Sequence, residues 1–168
     1  MEIKNLSEDI KNFSLPKYNE IPNVGLYLEQ TAKYISEYLE PLEQNALTGS
    51  MISNYVKKGL VSNPVKKQYN REQIAYLIFI AIAKSVLSIE DIKTTIEIQK
   101  KSYSSERAYN YFESEFKNII NFVFGITENL QEIGTDSTEQ KTLLRNIIIT
   151  IAHKVYLEKN FKHFNTDL

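Results

Sequence analysis

The chain contains no cysteine among its 168 residues. This absence excludes disulfide bonds and thiolate metal sites, and it is compatible with a reducing compartment. A long apolar run is also missing: the most apolar one, from Ile74 to Ala83, has ten residues, whereas a membrane-spanning helix needs about 20. The first residues, from Met1 to Leu6, lack the apolar segment of a secretory signal. We therefore expect a cytoplasmic protein that does not enter a membrane.

Residues suited to catalysis or metal binding are scarce. The 5 glycines are isolated from one another, so the sequence has no glycine-rich phosphate-binding loop. The two histidines, His153 and His163, are ten residues apart and are not part of a cluster of metal-ligand residues. We therefore predict that the protein is not an enzyme and that it has no catalytic residue, no metal and no cofactor.

One stretch lacks acidic residues altogether. The 28 residues between Glu43 and Glu72 carry a charge of +5, whereas the other 140 residues sum to −6. A nearly neutral chain that concentrates one sign of charge in this way is typical of a protein that binds a polyanion. The alternative is a lysine-rich surface that contacts only solvent. The basic residues of the stretch are Lys57, Lys58, Lys66, Lys67 and Arg71.

Apolar residues recur in steps of three and four along most of the chain, which predicts an all-α protein. Capping residues mark three predicted helix starts: Thr48, Asn70 with Gln73, and Ser88 with Asp91. Residues 65–69 are predicted to be extended and to form at most a vestigial hairpin. The predicted helices cover residues 24–40, 49–59, 71–86, 89–101, 104–133 and 137–160, and Gly134, Thr135 and Asp136 separate the last two.

The predicted helix of residues 49–59 has two different faces. Its apolar stripe consists of Met51, Ile52, Tyr55 and Val56, and its outer face of Ser50, Ser53, Asn54, Lys57 and Lys58. The outer face has hydroxyls, an amide and amines without a carboxylate, so it can bind base edges and phosphates together. Asn54 can pair with adenine through two hydrogen bonds, and the two lysines neutralise phosphates. A wing that contacts the DNA backbone or the minor groove would follow, with Lys66, Lys67, Tyr69 and Arg71.

Several motifs in this part of the chain resemble those of known regulators. Residues 48–61, which read TGSMISNYVKKGLV, are similar to the recognition helix of MerR-type winged-helix regulators. Residues 67–77 and 87–93 resemble the helices that follow the wing of those proteins. The segments 15–16, 26–28, 51–57 and 64–72 more closely resemble the domain-of-unknown-function 1836 (DUF1836) family, whose bacterial members are regarded as MerR-like transcriptional regulators.

The resemblance implies a MerR-like winged helix-turn-helix with a minimal wing over residues 24–101, after an N-terminal extension of residues 1–23. It implies that the recognition helix enters the major groove of double-stranded DNA while the basic wing of residues 64–71 contacts phosphates. Two features depart from the family pattern. Pro41 to Leu47 separates the helices where MerR proteins have a tight turn, and the wing carries lysines where they favour arginines. Since lysine cannot read guanine with two hydrogen bonds, we assign the wing a phosphate role.

Residues 102–168 are predicted to form a C-terminal helical hairpin or bundle for dimerisation or regulation. Apolar residues at steps of three and four predict a coiled-coil-type seam. They are Tyr109, Phe112, Phe116, Ile119, Val123, Ile126, Leu130 and Ile133. Repeated across a two-fold axis, the hairpin would form a homodimer with two recognition helices on one face of DNA. Alternatively, it packs on the N-terminal core of its own chain. Packing explains the aromatic spacing, so the sequence identifies no small-molecule effector.

Together these features predict a bacterial DNA-binding transcriptional regulator that acts as a homodimer. A second interpretation is a helical protein–protein interaction or adaptor module whose basic surface binds an acidic partner. Replacing Asn54 with alanine distinguishes the two, because the change would relax base preference and leave an acidic protein partner almost unaffected. The predicted DNA-binding residues are Ser50, Ser53, Asn54, Lys57, Lys58, Lys66, Lys67, Tyr69 and Arg71.

Overall fold

The computed structural model describes residues 4–44, 46–134 and 137–166. In these residues the chain forms seven α-helices, two 3-10 turns (Tyr18–Glu20 and Glu40–Leu42) and one two-stranded sheet. The predicted all-α class is therefore confirmed. The elements are α1 (Lys4–Lys11), β1 (Leu26–Tyr27), α2 (Leu28–Leu39), α3 (Gly49–Lys57), β2 (Gln68–Tyr69), α4 (Arg71–Ala83), α5 (Ile89–Ser102), α6 (Ser105–Val123) and α7 (Glu139–Thr166).

Side-chain caps fix the starts of three helices, as the sequence predicted. Thr48 Oγ1 accepts a hydrogen bond from the backbone N–H of Met51 at 3.2 Å, which starts α3. At the start of α4, Asn70 and Gln73 each accept a bond from the backbone N–H of the other, at 2.9 and 2.8 Å. Ser88 caps α5 in the same way as Thr48 caps α3. Each such cap contributes about 1 kcal/mol, so these boundaries follow from local sequence.

Helix α6 ends at Val123, and the prediction that it continues to Ile133 was wrong. The end is a Schellman motif: Gly125 has φ +70°, its N–H donates to the carbonyl of Phe122, and the N–H of Ile126 donates to that of Asn121. The helix was predicted to be longer because the apolar residues keep their regular spacing after Gly125, the glycine that ends it. The last residues of the predicted seam therefore lie in an irregular segment.

Other helix boundaries differ from the prediction as well. Helix α2 begins after Val24 because Leu26 and Tyr27 pair as a strand with β2. Helix α4 ends at Ala83 instead of near residue 86. Helix α7 extends to Thr166, past the predicted end at residue 160, and its last turns are held by ion pairs from Lys159 and Lys162 to Glu43.

The predicted break between the last two helices includes Thr135 and Asp136, which lie outside the described residues. On either side of it, α6 and α7 pack along each other as the predicted hairpin. No helix in the described ranges is both long and apolar enough to cross a membrane.

Helix α4 lies at the centre of the core. All its residues from Gln73 to Ala83 except Tyr76 are buried, which explains why this helix is apolar on every side. The ring of Phe79 packs edge-on against that of Phe112 on α6, with centroids 5.2 Å apart. Helices α2, α6 and α7 all contact α4. The hydrophobic core is therefore formed around this one central helix.

The first half of the predicted coiled-coil seam packs against other parts of the same chain. The side chains of Tyr109, Phe112, Phe116 and Ile119 are buried in the core of their own molecule. Phe116, for example, packs against Phe13, with ring centroids 5.7 Å apart. These residues follow the intramolecular alternative, and the predicted homodimer would need a different surface.

Candidate nucleic-acid interface

Local sequence positions α3 firmly against the rest of the fold. Its N-terminus is capped by Thr48, and its C-terminus is a Schellman motif in which Gly59 adopts φ +78°. Ile52 and Tyr55 are buried toward α2, and Met51 lies beside the half-buried amine of Lys84. Burial lowers the pKa of Lys84. The apolar stripe predicted for this helix therefore faces the core.

The opposite face of α3 is uncovered. Ser50, Ser53, Lys57 and Lys58 are exposed, and Asn54 is half-buried. Within the described ranges, the Asn54 side-chain amide makes no hydrogen bond, and it is not buried away from solvent. We call these five residues the α3 strip. Hydroxyls, an amide and amines are thus available to a partner along one side of the helix.

The predicted wing is a two-residue hairpin, residues 65–68, which we call the lysine hairpin. Val65 and Gln68 exchange two backbone hydrogen bonds of 3.1 and 2.9 Å. Between them Lys66 and Lys67 have φ values of +51° and +64°, the combination of a type I′ turn, for which Asn-Gly is the preferred sequence. A non-glycine residue in this left-handed region costs roughly 1–2 kcal/mol. The two strained residues, Lys66 and Lys67, are also the ones whose amines are exposed to solvent.

Two of the predicted DNA-binding residues, Tyr69 and Arg71, make contacts within the fold. Tyr69 is only 4% exposed, because the strand that pairs with β1 directs this side chain into the core. Arg71 donates from Nε to the carbonyl of Ile21 at 2.8 Å and from Nη2 to that of Asn19 at 3.2 Å. Its guanidinium also lies 5.9 Å from the centroid of the Tyr18 ring. Tyr69 is therefore buried and Arg71 is held by contacts within the fold, so neither is as exposed as the four lysines, and their role as DNA contacts stays a prediction.

The loop between α3 and the lysine hairpin is held by one buried side chain. Gln73 is 4% exposed, and its Nε2 donates to the backbone carbonyls of Ser62 and Asn63 at 3.0 and 3.1 Å. The same residue caps α4 through its Oε1. Gln73 therefore fixes the loop that joins the two basic elements to the central helix.

The exposed lysines of this region have no acidic neighbour. Among the residues that the structure describes, no carboxylate lies within 4.0 Å of the amines of Lys57, Lys58, Lys66 or Lys67. A carboxylate close to the start of α3 belongs to Glu29, which lies against the position that a Cβ on Gly49 would take. A carboxylate at a helix N-terminus interacts favourably with the helix dipole. The Glu29 carboxylate therefore occupies this favourable position and disfavours phosphate near Ser50, whereas the lysines at the C-terminal end of α3, Lys57 and Lys58, are the groups that favour it.

One cation from outside the acid-free stretch extends this surface. The amine of Lys93 on α5 lies 3.5 Å from the position that a Cβ on Gly59 would take, directly beside the end of α3. This residue follows the acid-free stretch by more than twenty positions, so charge counting could not assign it. Its place depends on how α5 packs after α4.

A family model described as "Domain of unknown function (DUF1836)" matches residues 16–112, which is more than half of the chain. The matched range includes α2 to α5, the lysine hairpin and the first part of α6. No curated protein and no solved structure matches the chain.

Proposed function

The chain belongs to the DUF1836 family, and we propose that it is a DNA-binding transcriptional regulator. In this proposal α3 is a recognition helix that enters the major groove. The lysine hairpin contacts phosphates beside the same groove. Asn54 pairs with adenine, while Lys57 and Lys58 bind the DNA backbone.

One observation carries the proposal. The lysines of the α3 strip and of the lysine hairpin are exposed, and no carboxylate in the described part of the chain lies within 4.0 Å of them. Elsewhere the protein contains an excess of acidic residues that could have paired with them. Keeping a group of cations apart from those acids favours binding to an external polyanion, because no internal pair has to be broken first.

The order of elements supports a MerR-like arrangement. Strand β1, helices α2 and α3, the lysine hairpin with β2, and α4 follow one another, and β2 returns to pair with β1. We interpret this order as a helix-turn-helix followed by a wing, as the family resemblance implies. Residues 40–48 form a longer connection than the 3–4-residue turn that is usual between such helices.

Two copies bound to adjacent half-sites would explain how a small surface reaches regulatory affinity. The proposal places the protein in the cytoplasm, where bacterial DNA is accessible. It assigns no catalytic reaction to this surface.

The test is a fluorescence-anisotropy titration with labelled duplex DNA from upstream of the protein's own gene and with a random duplex of equal length. We expect tighter binding to the upstream DNA. Four lysine–phosphate contacts per chain predict a log–log salt slope of about −3.6 for one bound chain and about −7 for two. A slope near zero would contradict the proposal.

Asn54→Ala separates base reading from charge. We expect about a tenfold loss of preference for the upstream DNA and little change in binding to the random duplex. Asn165→Ala, which changes an exposed asparagine at the far end of α7, is the matched control. If the two duplexes are bound equally by the unaltered protein and Asn54→Ala has no effect, the adaptor interpretation with an acidic protein partner is favoured.

A further inference from the structure

A cavity of about 320 Å³ lies among helices α4, α5, α6 and α7. Its inner wall is formed by the buried side chains of Phe79, Ile96 and Phe112. Its outer part is lined by half-buried residues such as Tyr76 and Leu144, so the cavity reaches solvent. Protein interiors contain few voids larger than a water molecule. An opening of this size between four packed helices is therefore a feature to be explained.

Water is a poor occupant for the inner part of this cavity. Buried waters need two to four polar partners, and the inner wall presents aromatic and aliphatic side chains. An apolar cavity that stays dry binds small apolar molecules when they are supplied. The inner part therefore favours an apolar or aromatic group.

The outer part of the cavity carries polar and positively charged groups. The hydroxyl of Tyr76 donates to Gln99 Oε1 at 2.8 Å and lies 3.1 Å from Ser105 Oγ. Two cations line the same space: the guanidinium of Arg107 and the amine of Lys141. Each lies over a tyrosine ring that also lines the cavity, at 4.9 and 5.6 Å from the ring centroids.

No acidic side chain lines the cavity among the residues that the structure describes. The two cations therefore give the lining a net positive charge, and the carboxylate of Glu72 lies just outside it, where it accepts a hydrogen bond from Ser105 Oγ. A ligand that matches both regions has a flat apolar body and one negative charge.

We propose that this cavity is a binding site for a small aromatic or apolar carboxylate or sulfonate. The apolar body lies against Phe79 and Phe112, and the anionic group lies near Lys141 and Arg107. One side of the site comes from the family-matched residues and the other from α7. This proposal does not depend on DNA binding.

The test uses two fluorescent probes of nearly the same shape. 8-Anilinonaphthalene-1-sulfonate is an aromatic anion, and N-phenyl-1-naphthylamine is its uncharged analogue. We expect the folded protein to bind one molecule of the anion saturably. Lys141→Met should weaken the anion about fivefold, the effect of one partly exposed charge, and leave the neutral probe unchanged. Lys101→Met, at an exposed lysine outside the cavity, should change neither.

Two further variants locate the bound probe. Ala108→Phe fills the cavity from α6 and should abolish binding of both probes, with the helical content checked by circular dichroism. Leu157→Ser with Phe161→Ser removes exposed apolar side chains from α7 and should leave binding intact. The proposal is overturned if no saturable binding occurs, if the α7 pair abolishes it, or if Lys141→Met weakens both probes equally. Because no DNA is present, this outcome is independent of the regulator proposal.

Discussion

From Arg145 onward, helix α7 uses the same kind of side chain as the region of α3 with the lysine hairpin, but in the opposite way. On α7, the cations of Arg145, Lys154, Lys159 and Lys162 each have a carboxylate within 4.0 Å. In the α3 region, the four exposed lysines have none within the described ranges. Lysine content alone therefore does not identify a binding surface. The position of the acids relative to the lysines does.

The difference also appears in burial. Lys159 is 3% exposed and lies 3.5 Å from Glu43 and 4.0 Å from Asp9, so its charge is committed to joining α7 to the N-terminal elements. Arg145 reaches the buried carboxylate of Glu115 on α6 at 3.1 Å. Burial raises the pKa of Glu115, although the charge of Arg145 opposes the rise. Such cations stabilise the fold and are not available to an external anion.

The largest expected effect separates the two sets of lysines. Changing Lys57, Lys58, Lys66 and Lys67 together to glutamine should weaken DNA binding about a thousandfold at about 0.1 M salt, because four phosphate contacts are lost. The free energy of unfolding should change by less than about 0.5 kcal/mol. Anisotropy titration and urea unfolding measure the two quantities.

The matched variant changes Lys154 and Lys162 on α7 to glutamine. It should reduce the free energy of unfolding and leave DNA binding within about threefold, because these amines already have carboxylate partners. Equal losses of DNA binding in the two variants would show that only net charge matters. The distinction between paired and free lysines would then be lost.

A second prediction concerns Glu43, which holds the end of α7. Burial raises its pKa, but the hydrogen bonds and charges of Lys162 and Lys159 outweigh that effect, so the pKa is lowered overall. Its contribution to stability is therefore present above the ordinary pKa of glutamate and is lost as the pH falls through the lowered value. Glu43→Gln should cost about 1–2 kcal/mol at neutral pH, less than for a fully buried pair because the side chain is 39% exposed.

Urea unfolding of the unaltered protein and Glu43→Gln between neutral and acidic pH tests this assignment. The difference between the two should shrink as the pH falls. Glu37→Gln is the control, since Glu37 pairs only with the exposed Lys33. A constant difference across the pH range would mean that the charge of Glu43 is not the cause.

The smallest expected effect comes from the lysine hairpin. Lys66→Asn with Lys67→Gly installs the preferred type I′ sequence and should stabilise the protein by about 1 kcal/mol, because asparagine and glycine adopt the left-handed conformation at a lower cost than lysine. DNA binding should weaken at the same time because two amines are removed. Lys57→Asn with Lys58→Asn removes the same charge without relieving strain. A hairpin variant that is less stable than the unaltered protein would contradict the strain argument.

Local interactions made part of this structure predictable from sequence. The caps at Thr48, Asn70 and Ser88 and the two faces of α3 depend on residues within one or two turns, and all were predicted. The end of α6 had a local cause as well, Gly125, but the apolar periodicity on both sides of it suggested a longer helix. A glycine should have been weighed more heavily than a regular apolar pattern.

The environment of the candidate-site residues was not predictable, for a different reason. Tyr69 and Arg71 stand among exposed lysines in the sequence, yet strand pairing buries one and the carbonyls of Ile21 and Asn19 bind the other. Lys93 lies beside this surface because α5, which follows the stretch without acidic residues, packs next to the end of α3. The cavity needs four helices to exist. These features depend on contacts between distant parts of the chain, which periodicity and composition do not encode.

The way in which Gln73 holds the loop before the lysine hairpin affects how the sequence can change. Its amide bonds to the main-chain oxygens of Ser62 and Asn63, and every amino acid supplies such an oxygen. Substitutions in the loop can therefore alter its outward chemistry while its path over α4 stays the same. The residue that fixes the position of this loop, Gln73, is buried and lies away from the surface that a partner would contact. The residues of that surface can therefore change while the loop keeps its position.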